Sequence, residues 1–297
     1  MNSKYTTHVR FQLLMALTPC LSAGCQSVTA PELTHPCVSW CNTVAPWSHD
    51  GKPYESPHFT IYSDGASLEA RRDLAAIGEA VLTDLTERFE IPSNDLFVLP
   101  ANQAKIHLYA YKYHFPTQWG GQGFFGGMIV FSLDHPQRTE AGHTELGNYT
   151  RLVTHELMHV VQGLLVGSTH CYSTHTWFEE GLGELVSSLN PERSITNVTD
   201  LDTLIARYGE LNPIAIHNDV YPAIEDVGQN YYYPMFELTM RYLLDDRGLD
   251  RSLVDVKQVF LDMRTGMSFS DAFQRNFGLS VVDFHAEYFA RIRQHLS

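Results

Sequence analysis

Residues 155–159 read HELMH, and Glu180 follows His159 by twenty-one positions inside the run WFEEGLGE, from Trp177 to Glu184. On an α-helix His155 and His159 lie one turn plus a small overshoot apart, so both imidazoles leave the same face and can converge on one metal ion. A catalytic zinc takes three protein ligands and leaves its fourth position to water. A carboxylate from a second helix, Glu180, completes that set, and any fold the chain adopts must lay the second helix against the first. Glu156 points about 100° away around the helix axis. It can sit beside the open position without touching the metal, which makes it the candidate general base. HExxH alone arises by chance on amphipathic helices, and this chain has 15 histidines. The acidic second helix at a workable separation is what gives the pattern its specificity.

The pairing of HELMH with WFEEGLGE resembles the gluzincin metallopeptidases, the thermolysin and aminopeptidase superfamily, and in particular its peptidase MA-like bacterial members. The metzincin pattern would demand glycine at position 162 and histidine at 165, where this chain has Gln162 and Leu165. The resemblance implies one zinc per chain on His155, His159 and Glu180. Glu179 is also in range, but Glu180 precedes the glycine as in the family's EG pattern and has an acid, Glu184, one turn later. In the family that acid accepts a hydrogen bond from the first zinc histidine, which implies that Glu184 orients His155. The stretch Tyr231–Gly248 is similar to the family's following helix, in which a tyrosine steadies the oxyanion. Tyr233, with Tyr242 and Leu243 nine and ten residues on, matches that spacing, and Tyr231 and Tyr232 are the alternatives. Residues 269–289 resemble the helical repeat that ends many such chains, so the resemblance spans most of residues 58–290. It implies an edge strand before the zinc helix that pairs with extended substrate, here GGMIVFSL over 126–133. Aminopeptidases of the superfamily carry GxMEN there, and Ile129 stands where their amine-binding glutamate would be. The resemblance therefore implies a peptidase of peptide or protein substrates, an endopeptidase in preference to an aminopeptidase. Hydrolysis of cell-wall peptides and a non-catalytic binding lipoprotein that retains the fold are the alternatives.

Apolar periodicity predicts an α+β chain with a sheet lobe over 58–146 and a helical lobe over 147–297. The expected strands are 58–64, 105–111 and 126–133, with a helix over 67–90 between the first two. The expected helices after them are 149–166 with HELMH, 176–189 with WFEEGLGE, 200–208, 231–246, 251–263, 269–276 and 281–295. At 297 residues and 44% hydrophobic content the chain can bury one substantial core. Residues 25–57 hold Pro31, Pro36, Pro46, Pro53 and Pro57 and read as a tether.

The first 24 residues have the layout of a secretory leader: Lys4 and Arg10, an apolar run over 11–21, then Ser22, Ala23 and Gly24. LSAGC is similar to a bacterial lipobox, with Cys25 as the acylated residue. The expected location is therefore exported and held at the membrane by lipid, or secreted after ordinary cleavage. Of the remaining cysteines, Cys37 and Cys41 are the local option for a disulfide, and Cys171 lies between the zinc helices. A net charge of −14, from 34 acidic against 20 basic residues, with no polybasic run, argues against nucleic acid as a partner.

Overall fold

Alternation sets the faces of the sheet. β2 (Phe59–Asp64) and β3 (Ile106–Tyr111) run parallel with Phe59 opposite Ile106 and Ile61 opposite Leu108, and β5 (Gly127–Val130) continues the parallel pairing with Met128 opposite Leu108. Phe59, Ile61, Leu108 and Met128 are fully buried, and the core they join includes buried side chains of α1 (Leu68–Arg88) and α2 (Glu145–Val166). The other face carries Tyr62 stacked on Tyr109 at 5.0 Å, with His107 edge-on to Tyr62. β1 (Tyr54–Glu55) adds antiparallel to β2, and β4 (Gly121–Phe124) adds antiparallel to β5, giving the order β1-β2-β3-β5-β4. The computed structural model describes residues 53–64, 66–92, 99, 103–111, 121–124, 127–130, 145–167, 176–188, 228–245 and 248–296.

Parallel neighbours need a crossover, and α1 supplies it between β2 and β3. Its first turn is capped by Ser67, whose side chain accepts the Ala70 N–H. Leu74, Val81, Leu82 and Leu85 form its buried stripe. Past its end, Glu90 takes φ 49°, and its carbonyl receives the ammonium of Lys257 at 2.9 Å.

The remaining helices are α3 (Thr176–Ser187), α4 (Gly228–Leu244), α5 (Leu253–Arg264), α6 (Phe269–Phe277) and α7 (Val281–Leu296). α2 lies at the centre, against α1, α3, α5, β4 and β5. Ser252 and Asp255 form a reciprocal capping box on α5. Ser268 with Asp271 and Ser280 with Asp283 repeat the serine cap on the next two helices. Trp177 and Phe178, at the start of α3, enter an aromatic cluster with Phe260, Phe269, Phe273 and Phe284. The fold is α+β, and the sheet and the helices share one buried cluster. None of the described helices is long and apolar enough to cross a membrane.

Three expectations change. The domain begins before His58, because Tyr54 and Glu55 already pair with β2, and Lys105 reaches Glu55 at 2.7 Å. Residues 121–124, which lie outside the expected strands, are a strand. That strand takes the edge, so the segment expected there, β5, is an internal strand flanked by β3 and β4. Ile129 accordingly pairs with Tyr109 on one side and Gln122 on the other. The helix expected at 200–208, the lipidation candidate Cys25, and Cys37, Cys41 and Cys171 lie outside the described residues.

Candidate metal centre

The apolar side of α2 sets how the helix is turned in the fold. Val153, Leu157, Val160, Val161, Leu164 and Leu165 are buried at helical spacing, which fixes the rotation of the helix and turns His155 and His159 together toward α3. Their rings meet edge-on with centroids 4.9 Å apart, and the two Nε2 atoms are separated by 3.2 Å. Glu180 Oε2 lies 3.2 Å from His155 Nε2 and 3.4 Å from His159 Nε2. One ligand atom from each of the three residues falls within 4.8 Å of the others, a group that could hold a metal ion. Two imidazoles and one carboxylate, gathered from two helices, are a donor set that suits zinc.

The surroundings orient these donors. Glu184, one turn after Glu180, places Oε1 3.1 Å from His155 Nδ1 and receives Arg151 on Oε2 at 2.7 Å. His159 Nδ1 faces the side-chain oxygen of Gln162 at 3.0 Å, and the Gln162 amide donates to the carbonyl of Glu179 at 3.1 Å. Gly183 lets the His155 ring lie directly on α3, since a Cβ at that position would sit 3.0 Å from two ring atoms. Gly183 of WFEEGLGE is therefore the seat of the His155 ring.

Glu156 stands apart from the convergent group. Its carboxylate accepts the backbone N–H of Gly123, on the edge strand β4. That strand crosses α2 at close range: a Cβ on Gly123 would overlap the Glu156 carbonyl oxygen and come within 2.6 Å of the His159 Cβ. The lack of a side chain at Gly123 is what allows the strand to lie on the helix. Sequence reasoning missed Arg151 and Gln162 as site residues. The available signal for Gln162 is a lone amide inside the apolar run Val160–Val166, three residues after a ligand histidine.

Electrostatics favour a cation. Burial opposes protonation of His155, but the hydrogen bonds to Glu180 and Glu184 and the charge of Glu156 overcome it and push the imidazole up to about 10. His159 is raised in the same way, burial being outweighed chiefly by Glu180. The imidazoles in turn overcome burial at Glu180 and hold its carboxyl far below the usual carboxylate range. Glu184 is lowered too, His155 and Arg151 prevailing over desolvation. Glu156 goes the other way: burial raises it, outweighing the imidazoles of His155 and His159.

Tyr231, Tyr232 and Tyr233 belong to α4, but the positions of their side chains lie outside the described residues. Comparison with protein-family models and with curated proteins finds no match to this chain.

Proposed function

We propose that the chain is a zinc-dependent metallopeptidase of gluzincin type, cutting peptide bonds within peptide or protein substrates. The observation that carries the reading is the convergence of His155, His159 and Glu180 with a buried carboxylate, Glu156, held beside them and outside their group. His155, His159 and Glu180 would hold a zinc ion, which would supply Lewis acidity at the site and make a water there a stronger acid. Glu156 takes the proton of the attacking water and delivers it to the leaving amine, a role that its raised affinity for protons suits. Glu184 holds the His155 ring in place, and Tyr233 donates a hydrogen bond to the oxyanion.

Substrate recognition falls to β4 in place of the strand that follows it. As the outer strand beside α2, it offers main-chain groups to an extended peptide, indifferent to side-chain sequence. β4 reads Gly121, Gln122, Gly123, Phe124 and carries no carboxylate to capture a free α-amine. That supports internal cleavage, where the sequence argument had rested on Ile129, now an inner-strand residue. The leader-like segment ending in Cys25 supports an exported, lipid-anchored enzyme acting at a membrane surface.

Glu156→Gln provides the test. The variant is expected to keep about one zinc per chain by metal analysis while hydrolysis of a diverse peptide library falls by roughly 10²-fold or more. Full activity in that variant would sink the assignment.

A further inference from the structure

Gln162 is fully buried. An amide withdrawn from water in an apolar stretch of helix is tolerated only when both of its ends find partners. Here both do, and the partners fix the direction of every hydrogen along the path. The Glu179 carbonyl can only accept, so the Gln162 NH2 group faces it. The side-chain oxygen then faces His159 and can only accept as well, so His159 Nδ1 carries a hydrogen. A neutral imidazole with its hydrogen on Nδ1 presents its lone pair on Nε2. That is the atom turned toward Glu180 and toward His155 Nε2. The carbonyl that starts this path belongs to the residue next to the ligand carboxylate, so one side chain reaches both metal-bearing helices.

We propose that Gln162 is a positioning residue of the metal centre, fixing His159 as an Nε2 ligand and tying α2 to α3 one residue from Glu180. His155 is held by a carboxylate, Glu184, whereas Gln162 performs the same orientation without charge. A fourth acid beside Glu156, Glu180 and Glu184 would add repulsion where a neutral amide adds none. The proposal rests on the metal-site part of the function proposed above and not on peptide hydrolysis.

Two measurements on the full chain test it. In zinc-loaded, ¹⁵N-labelled protein, imidazole NMR is expected to show His159 bound through Nε2 with a retained Nδ1–H. Coordination through Nδ1 would overturn the proposal, whatever any variant does. Gln162→Leu removes both hydrogen bonds at similar volume, and zinc affinity by chelator competition is expected to fall about 10- to 100-fold. An affinity within about twofold of the parent, even with a lowered unfolding temperature, would reduce Gln162 to a packing residue. Neither readout requires turnover, so a parent that binds zinc yet cleaves no peptide would fail only the peptidase reading.

Discussion

α3 has two faces of opposite character. At its start, Trp177 stacks on Phe284 with centroids 5.4 Å apart, and Phe178 meets Phe269 at 5.0 Å, all of them buried. One turn on, Glu180 and Glu184 turn toward α2 and its two imidazoles. The aromatic face gains stability from each contact and asks nothing of solution conditions. The acidic face gathers like charges out of water, which is tolerable only while protons or a metal ion balance them. The same twelve-residue helix thus packs the fold's aromatic cluster at its start and carries the candidate metal-site carboxylates further along. Substitutions should separate the two.

The largest expected effect lies on the aromatic face. Phe273 is fully buried against Trp177, Phe178, Phe269, Phe277 and Phe284. Phe273→Ala should cost about 3–5 kcal/mol of unfolding free energy in denaturant titration. Zinc affinity of the folded fraction should be unchanged, because nothing in that cluster touches a ligand. A variant that remains folded yet loses zinc would show that the two faces are coupled through α3.

How far the sequence reveals each face follows from the range of the interactions involved. The described helices and the shared face of His155 and His159 are legible because they follow from spacing along single helices, where the period of 3.6 residues decides what shares a face, whereas Glu180 and Glu184, on a second helix, are reached through the family resemblance. β4 is not legible, since its glycines give no strand pattern and the close approach of α2 to Gly123 is not written in the local sequence. β1 hides for a similar reason: Pro53 and Pro57 flank a two-residue strand whose order comes from pairing with β2. Gln162 carries half its meaning in a carbonyl of another helix, which no local pattern reports. Short-range periodicity was readable, and close approaches between distant segments were not.

On the acidic face, Glu180→Gln should weaken zinc binding by more than the roughly 10- to 100-fold that loss of an outer hydrogen bond costs, because a ligand itself is removed. Glu179→Gln is the matched control. Its backbone carbonyl, the group that receives Gln162, survives the substitution, so chelator competition should give an affinity close to the parent's. Loss of metal in the Glu179 variant with retention in the Glu180 variant would exchange the two residues and break the assignment of the acidic face.

The smallest effect is expected far from both faces, at the edge of the sheet, where a carboxylate is neither stacked nor beside a metal site. Glu79 on α1 accepts from Ser56 Oγ at 2.7 Å and from the His58 N–H at 2.8 Å, and pairs with His58 Nδ1 at 2.7 Å. Partial burial works against its ionisation, but these donors prevail and hold its carboxyl below the ordinary value of 4.5. A carboxylate depressed in the folded state contributes stability above its unfolded pKa, and that contribution is lost as pH falls through the folded value. Glu79→Gln should therefore cost about 1 kcal/mol at pH 7, where the ionised group holds the turn between β1 and β2. The gap between variant and parent should narrow as pH drops below about 4.5, as Glu79 in the parent takes up its own proton. Urea unfolding at pH 7 and at about pH 3 distinguishes the cases. A difference that stays constant across that range would mean that the side chain acts through shape alone and not through its charge.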